Sequence, residues 1–205
     1  MRSMEVKAVL FDLDGVLVDS LDAWFYVFND TLKYFGLKTL KKKDFSRSFG
    51  KPIEYDLKNY FIGKTEQEVM RQYNKFFKKR KAYVKLFSQS AEVLKDIKKR
   101  KLKLGLISNS TKFIVMSILN RYKLRKYFDV VIAMEDVKNR KPAPDSVLKA
   151  CRLLKVKPQN AILIGDTMND MIAGEKAGCV TVGYKIEGDY KIDELKNIEK
   201  LLSNK

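Results

Sequence analysis

The chain has 205 residues, of which 45% are hydrophobic, and a formal net charge of +17 at pH 7. This length and apolar content suffice for one α/β domain, or for one domain with a smaller insertion, and exclude a disordered chain. No apolar run approaches the roughly 20 residues of a membrane-spanning helix, and the N-terminal segment has no signal-type apolar region. We therefore expect a cytoplasmic protein without a membrane partner.

The sequence contains no histidine, which excludes a Ser-His-Asp triad, histidine-ligated zinc and histidine phosphotransfer. Carboxylates, hydroxyls, lysines or a cysteine are left for catalysis. Cys151 and Cys179 lie in apolar surroundings without a CxxC spacing, so we expect buried free thiols rather than a disulfide. A cysteine phosphatase needs an arginine six residues after its thiol, and those positions are Lys157 and Lys185. The pattern therefore disfavours a cysteine phosphatase.

The positive charge is spread through nearly every segment, including LKKKDF, FFKKRK and IKKRKLKLG. A nucleic-acid-binding protein would concentrate its basic residues on one face together with aromatic side chains. A lysine-rich soluble surface, of the kind seen in heat-adapted proteins, explains the pattern more simply. We therefore expect no nucleic-acid partner, although the charge would attract small anionic substrates.

Apolar runs alternate with helical patterns along most of the chain. The runs predict short, mostly buried strands at residues 6–11, 102–107, 129–133, 161–165 and 179–183. The periodic segments between them predict helices near residues 90–100, 112–123, 145–155 and 168–177. The tail, residues 188–205, predicts a short element and a final helix. Alternating strands and helices form a parallel sheet covered on both faces, so the expected fold class is α/β.

The segment from about residue 21 to residue 83 interrupts this alternation. Two sets of apolar side chains recur there at helical spacing: Trp24, Phe28, Leu32 and Phe35, then Met70, Tyr73 and Phe77. We expect an all-helical insertion with these aromatic residues in its own core. The predicted domains are a catalytic core of residues 1–20 and 84–205 and a helical domain of residues 21–83.

Polar residues follow three of the predicted strands. Asp12 comes after VLF, Ser108 and Asn109 come after LGLI, and Asp166 comes after LIG. The carboxyl ends of parallel strands lie along one edge of the sheet, where open α/β folds bind their ligands. We therefore expect these residues to converge on one crevice.

The acids among them predict a metal site. Asp12 and Asp166 would repel each other unless a cation lay between them, and Mg²⁺ accepts one or two carboxylates together with substrate phosphate. Asp170, four residues after Asp166 in GDTMND, falls on the same side of the following helical turn. It could hold a metal-bound water or a neighbouring lysine.

The same residues can supply phosphoryl-transfer chemistry. Asp12 is the candidate nucleophile that attacks phosphorus and forms an aspartyl-phosphate. Asp14, two residues on, can face the same site and act as general acid and then as general base. The Ser108 hydroxyl, the Asn109 backbone amide and the Lys141 ammonium, which precedes two prolines in RKPAPD, could bind the phosphoryl oxygens.

Four motifs carry these residues, in the order FDLDGVLVDS, LISNS, RKPAPD and IGDTMND. Together they resemble the haloacid dehalogenase-like hydrolase superfamily, whose core and cap would account for essentially the whole chain. The resemblance implies a Rossmann-like parallel-sheet core with an inserted helical cap, as in its phosphoglycolate phosphatase-like and β-phosphoglucomutase-like branch. The chain departs from these relatives at LFSQS, where they often have Pro-Gly at the return from the cap.

The resemblance also implies residue roles. Asp12 would be the nucleophile and Asp14 the acid/base, while Ser108 and Lys141 would bind the phosphoryl group. Mg²⁺ would bind to Asp12, Asp166 and the main-chain carbonyl of Asp14, and Asp170 would support the metal. Members that dehalogenate have an aromatic residue at the position of Asp14, and ion-pumping ATPases have threonine. With an acid at this position, the chain resembles the phosphatases and phosphomutases of the superfamily.

The sequence therefore predicts a Mg²⁺-dependent phosphatase of small phosphorylated metabolites that works through an aspartyl-phosphate. A sugar phosphomutase shares every catalytic residue and is the main alternative. A phospho-accepting receiver domain is disfavoured, because its acceptor lies in mid-chain and no helical insertion follows its first strand. A P-loop at IGKT is excluded, because Lys58 stands where that motif requires glycine. The sequence identifies neither the substrate nor the oligomeric state.

Overall fold

A computed structural model describes residues 5–202 of the chain. These residues form two compact units. The first, here called the sheet unit, comprises residues 5–18 and 86–202, and the second, the helical unit, comprises residues 19–85.

In chain order the described strands are β1 (Ala8–Phe11), β2 (Val18–Asp19), β3 (Lys85–Leu86), β4 (Lys103–Ile107), β5 (Val130–Ile132), β6 (Ala161–Gly165), β7 (Val180–Tyr184) and β8 (Tyr190–Ile192). The short strands β2 and β3 pair with each other. The other strands form a six-stranded sheet in the order β5-β4-β1-β6-β7-β8, and all its neighbouring strands are parallel.

The described helices are α1 (Leu21–Tyr34), α2 (Lys42–Ser48), α3 (Ile53–Asn59), α4 (Glu66–Arg80), α5 (Ser90–Lys99), α6 (Lys112–Arg121), α7 (Asp145–Leu154), α8 (Met168–Ala177) and α9 (Ile198–Leu202). The first four belong to the helical unit and the other five to the sheet unit. The predicted α/β fold class, a Rossmann-like parallel sheet with an inserted helical segment, is confirmed.

The core of the sheet unit follows from the apolar runs of the sequence. Every residue of β1 (AVLF) and β6 (AILIG) is buried, as expected for central strands that are covered on both faces. Helix α7 buries Val147, Ala150, Cys151 and Leu154, an i, i+3, i+4, i+7 pattern that directs one face to this core. Cys151 and Cys179 are buried and free, as predicted.

The helical unit has its own aromatic core. The ring of Phe28 on α1 lies 5.1–6.3 Å, centroid to centroid, from the rings of Phe45, Tyr60, Phe61 and Tyr73. The expectation that the aromatic residues of this segment pack on one another is thus confirmed.

Polar contacts hold the two long helices of this unit, α1 and α4. The Arg80 guanidinium on α4 donates hydrogen bonds of 2.7 and 3.1 Å to the Asp30 carboxylate on α1. At the start of α4, Thr65 and Glu68 form a capping box, in which each side chain accepts a hydrogen bond from the other residue's main-chain N–H. Across residues 5–202, no helix is long and apolar enough to cross a membrane.

Candidate active site

The strand order brings the predicted site residues to one edge of the sheet. β1 lies between β4 and β6, with Phe11 opposite Leu106 and Ile164. The residues that follow these three strands are Asp12, Ser108 and Asp166, so all three lie at the carboxyl edge. Main-chain bonds continue past the strand ends, from Asp12 N to Ile164 O (2.9 Å) and from Ser108 N to Ile132 O (3.0 Å).

A buried lysine joins two of the acids. Lys141 is only 4% exposed, and its Nζ donates to Asp12 Oδ1 at 2.7 Å, to Asp170 Oδ1 at 2.5 Å and to the Ile107 carbonyl at 3.3 Å. Burial alone would lower the pKa of Lys141, but the charges of Asp12 and Asp170 outweigh it and hold this pKa above its ordinary value. The lysine is therefore a fixed cation at the end of β1.

Asn109 fixes the main chain of that lysine. Its Nδ2 donates to Lys141 O at 2.9 Å, and its Oδ1 accepts from Lys141 N at 3.1 Å. The sequence predicts a role for the backbone amide of Asn109, and the structure shows in addition that its side chain binds the main chain of Lys141.

Three carboxylates form a cluster that could hold a cation. Asp12, Asp166 and Asp170 each offer an oxygen within 4.8 Å of the other two. Asp166 Oδ1 is buried without a hydrogen-bond partner. Burial, reinforced by the charge of Asp170, raises the pKa of Asp166 to about 7, and burial also raises the pKa of Asp12 above its ordinary value in spite of Lys141. A single lysine leaves negative charge uncompensated here, which suits an oxygen-binding divalent ion such as Mg²⁺.

Gly15 allows the backbone to approach this cluster. Its φ is +80°, and a Cβ built on it would lie 1.9 Å from Asp166 Oδ2. Its N–H donates to Val18 O at 2.8 Å and closes the turn after the two acids of DLDG. Only glycine combines this conformation with this close approach.

Thr167 holds Asp170 in place. The two residues form a capping box at the start of α8, in which Thr167 Oγ1 and N donate to Asp170 Oδ2 at 2.5 and 3.2 Å. Asp170 thus binds Thr167 with one oxygen and Lys141 with the other. Thr167 is not among the predicted site residues, although the TxxD spacing is a recognised helix-start signal.

Asp14 lies beside this cluster and contacts a residue that the sequence analysis also missed. Asp14 is half-buried, and its Oδ2 accepts a hydrogen bond from Ser110 Oγ at 3.2 Å. Ser110 N in turn donates to Ser108 Oγ at 3.1 Å. The loop after β4 therefore connects two of the predicted catalytic residues, and the second serine of LISNS was its only signal in the sequence.

The structure thus places all the predicted site residues at one edge of the sheet unit. The predicted set is Asp12, Asp14, Ser108, Asn109, Lys141, Asp166 and Asp170. Direct contacts join Lys141 to Asp12, Asp170 and Asn109. Asp14 and Ser108 are connected to each other through Ser110.

Comparisons with known proteins show which family this chain is similar to. A family model described as haloacid dehalogenase-like hydrolase matches residues 9–184. A PpaX-named relative from Caldanaerobacter subterraneus subsp. tengcongensis is 33% identical over 187 residues, covering 89% of this chain and 83% of the relative. Pyrophosphatase PpaX of Bacillus cereus is 29% identical and covers 98% of both chains.

A solved structure from Lactobacillus plantarum, whose name suggests a phosphoglycolate phosphatase, has the same fold. It superposes with a TM-score of 0.87 at 22% identity, covering 97% of this chain and all of that one. The family match extends over most of the chain and includes all four motifs that carry the site. The chain therefore belongs to the haloacid dehalogenase-like hydrolase family, as an enzyme of its phosphatase type.

Proposed function

We propose that the protein is a Mg²⁺-dependent phosphatase that hydrolyses small phosphorylated metabolites through an aspartyl-phosphate on Asp12. The supporting observation is the position of Asp12 at the end of the central strand β1. There its carboxylate lies against the buried Lys141 ammonium and within the cluster formed with Asp166 and Asp170.

The residues present fit a magnesium ion. Asp12 and Asp166 would bind it through carboxylate oxygens and Asp14 through its main-chain carbonyl, while Asp170 would support the site. The partnerless buried oxygen of Asp166 is the observation in favour of this assignment, because such an oxygen is costly to bury unless it binds something. When bound, the ion neutralises negative charge on the transferring phosphoryl group.

The first half-reaction begins at Asp12. An oxygen of its carboxylate attacks phosphorus, the bond from phosphorus to the leaving oxygen breaks, and that oxygen takes the proton of Asp14. Lys141 and Ser108 bind the phosphoryl oxygens and hold the group in line for attack. The leaving group departs as a neutral alcohol or as a phosphate.

In the second half-reaction, water attacks the phosphorus of the aspartyl-phosphate and gives a proton to Asp14, which now acts as a base. The bond from phosphorus to the Asp12 oxygen breaks, so the Asp12 carboxylate is restored and inorganic phosphate leaves. Asp14 ends protonated, as it began.

The substrate proposal is a small phosphorylated metabolite, with pyrophosphate as the first candidate. The support for pyrophosphate is that two relatives carry the name of the pyrophosphatase PpaX. The net charge of +17 would favour the approach of such anions.

We also propose that residues 21–83 serve as the cap of this enzyme and that residues 1–20 and 84–205 form the catalytic core. The support is that the helices α1–α4 pack around their own aromatic core as a separate compact unit. Caps of this family exclude water and select the leaving group.

The test is release of inorganic phosphate from pyrophosphate, phosphoglycolate, sugar phosphates and nucleotides, with and without Mg²⁺. Asp12→Asn removes the proposed nucleophile and should reduce turnover to background. Asp193→Asn is the matched control, because Asp193 is an exposed acid of the same sheet unit, and it should retain wild-type turnover.

Retention of turnover by Asp12→Asn would exclude the covalent mechanism. No release from any compound, combined with a hydroxylamine-sensitive phosphate on the wild-type protein, would favour the phosphomutase or a phospho-accepting switch instead.

A further inference from the structure

Ser110 is held by three hydrogen bonds, one within its own loop and two to other segments of the sheet unit. Its N–H donates to Ser108 Oγ at 3.1 Å, its carbonyl accepts from Met134 N at 3.0 Å, and its hydroxyl donates to Asp14 Oδ2 at 3.2 Å. The first two bonds engage both main-chain groups of Ser110. The hydroxyl is therefore aimed at Asp14 from a fixed backbone.

The hydroxyl of Ser110 is not needed to build the loop. The following helix α6 is capped by Thr111, whose side chain accepts from Ile114 N at 3.4 Å. The polar main-chain groups of Ser110 are satisfied by Ser108 and Met134. An alanine at position 110 would keep these contacts and lose only the bond to Asp14.

Ser110 holds Asp14 by a hydrogen bond and not by a charge. Its hydroxyl can donate to a carboxyl oxygen, or accept from a carboxyl O–H, by rotating its hydrogen. The contact of 3.2 Å, made from a fixed backbone, can therefore set the direction of the Asp14 carboxyl group.

We propose that Ser110 is a positioning residue that orients the Asp14 carboxyl group toward the leaving-group oxygen. This inference rests on the proposed phosphatase function. It predicts that Ser110 affects protonation of the leaving group rather than binding of the phosphoryl group. The consequence can be measured, because a leaving group that is already a good anion needs little help from a general acid, whereas an alkoxide needs much.

The experiment compares kcat/KM for p-nitrophenyl phosphate, phenyl phosphate and an alkyl phosphate, with Mg²⁺, in wild type and variants. The ratio kcat/KM reports the first half-reaction even where the second limits turnover. Ser110→Ala should lower kcat/KM about tenfold for the alkyl ester and less than about twofold for the p-nitrophenyl ester. Ser110→Thr restores a hydroxyl and should return the wild-type dependence on the leaving group. Ser117→Ala is the matched control, because the Ser117 hydroxyl donates a hydrogen bond within α6, to Phe113 O at 2.7 Å.

A second comparison shows whether Ser110 acts through Asp14. In an Asp14→Ala background, Ser110→Ala should cause no further loss for the alkyl ester, because the group that it positions is gone. Thermal melting of each variant monitors the folded fraction. The inference would be overturned if Ser110→Ala slowed all three esters equally and so left the dependence on the leaving group unchanged. It would also be overturned if Ser110→Thr failed to restore that dependence, or if Ser110→Ala caused an additive loss in the Asp14→Ala background.

The proposed function would fail in a different way. Wild-type protein without Mg²⁺-dependent release from any ester, or Asp12→Asn with full activity, would remove the reaction itself. Wild-type hydrolysis with an unaltered leaving-group dependence in Ser110→Ala would leave the phosphatase intact and remove only the role of Ser110.

Discussion

Replacing Gly15 by alanine should separate backbone strain from damage to the acid cluster. At Gly15 the φ is +80°, and the added methyl would lie 1.9 Å from Asp166 Oδ2 and 2.6 Å from its Cγ. Gly178, the residue after α8, offers a matched control. Its φ is +79°, and a Cβ there meets nothing within 4 Å.

The left-handed conformation costs an alanine about 1–2 kcal/mol at either position. For a chain of this length, this corresponds to a fall of about 2–8 °C in melting temperature. At Gly15 the Asp166 carboxylate must also move by at least about 1 Å to reach ordinary contact distance. We expect that movement to add little to the loss of stability, because the clashing Oδ2 lies at the end of a side chain that can rotate, and the other oxygen, Oδ1, has no hydrogen bond to lose.

Activity should respond differently from stability. A displacement of about 1 Å in a group of the reacting centre costs about 10²-fold in rate, and loss of a metal ligand should also raise the Mg²⁺ concentration needed for half-maximal activity. We therefore expect similar melting temperatures for Gly15→Ala and Gly178→Ala. Only Gly15→Ala should lose about 10²-fold in turnover.

The assay is a Mg²⁺ titration of phosphate release beside a thermal melt of the same preparations. Full activity of Gly15→Ala at the wild-type Mg²⁺ concentration would refute the assignment of Asp166 to the metal. Equal loss of activity in Gly178→Ala would show that strain, and not the carboxylate, is responsible.

Two further changes test charge inside each unit. Lys141→Met leaves Asp12 and Asp170 without their shared cation, so we expect a loss of about 3–5 kcal/mol in the free energy of unfolding. Added Mg²⁺ should restore part of that free energy. A urea midpoint of the variant that does not rise with Mg²⁺ would contradict this expectation. Burial raises the pKa of Asp56 from its ordinary 3.8 to about 7. Between those pH values the unfolded chain binds fewer protons than the folded one, so Asp56 should lower the stability by at most about 4 kcal/mol as the pH rises from about 4 to 7. Asp56→Asn should remove this contribution, while the raised pKa values of Asp12 and Asp166 leave a smaller fall. The measurement is urea unfolding followed by the fluorescence of Trp24, the only tryptophan, which lies in the helical unit; a fall of wild-type size in the variant would rule out Asp56 as a source.

The sheet of the first unit, the sheet unit, could be predicted because its central strands are continuous apolar runs. The prediction for β6, residues 161–165, matches the structure, and the other four predicted strands differ by one or two residues at one or both ends. β8 was anticipated only as a short element of the tail. Two of its three residues, Tyr190 and Lys191, are exposed at the edge of the sheet, so no buried apolar pattern identified it as a strand.

The convergence of the acids was also predictable, because residues that directly follow parallel strands meet at one edge of the sheet. The contacts of Ser110 and Asn109 were not. Both residues lie in a loop, where no periodicity fixes the direction of a side chain. The side-chain amide of Asn109 binds the main chain of Lys141. This contact depends on the distance between two loops that are 32 residues apart in sequence.

The absence of histidine gives these loop contacts particular weight. A histidine can accept and donate a proton near neutral pH without much help from its surroundings, whereas a carboxylic acid must be positioned and partly shielded before it can act as a general acid. In this chain the two acids of DLDG have different partners. Asp12 bonds to the buried ammonium of Lys141, whose charge opposes the rise in the pKa of Asp12 that burial causes, while Asp14 is half-buried and accepts a hydrogen bond from a neutral hydroxyl. The different roles that we propose for these two aspartates therefore depend on the loops that contact them, after β4 and around Lys141.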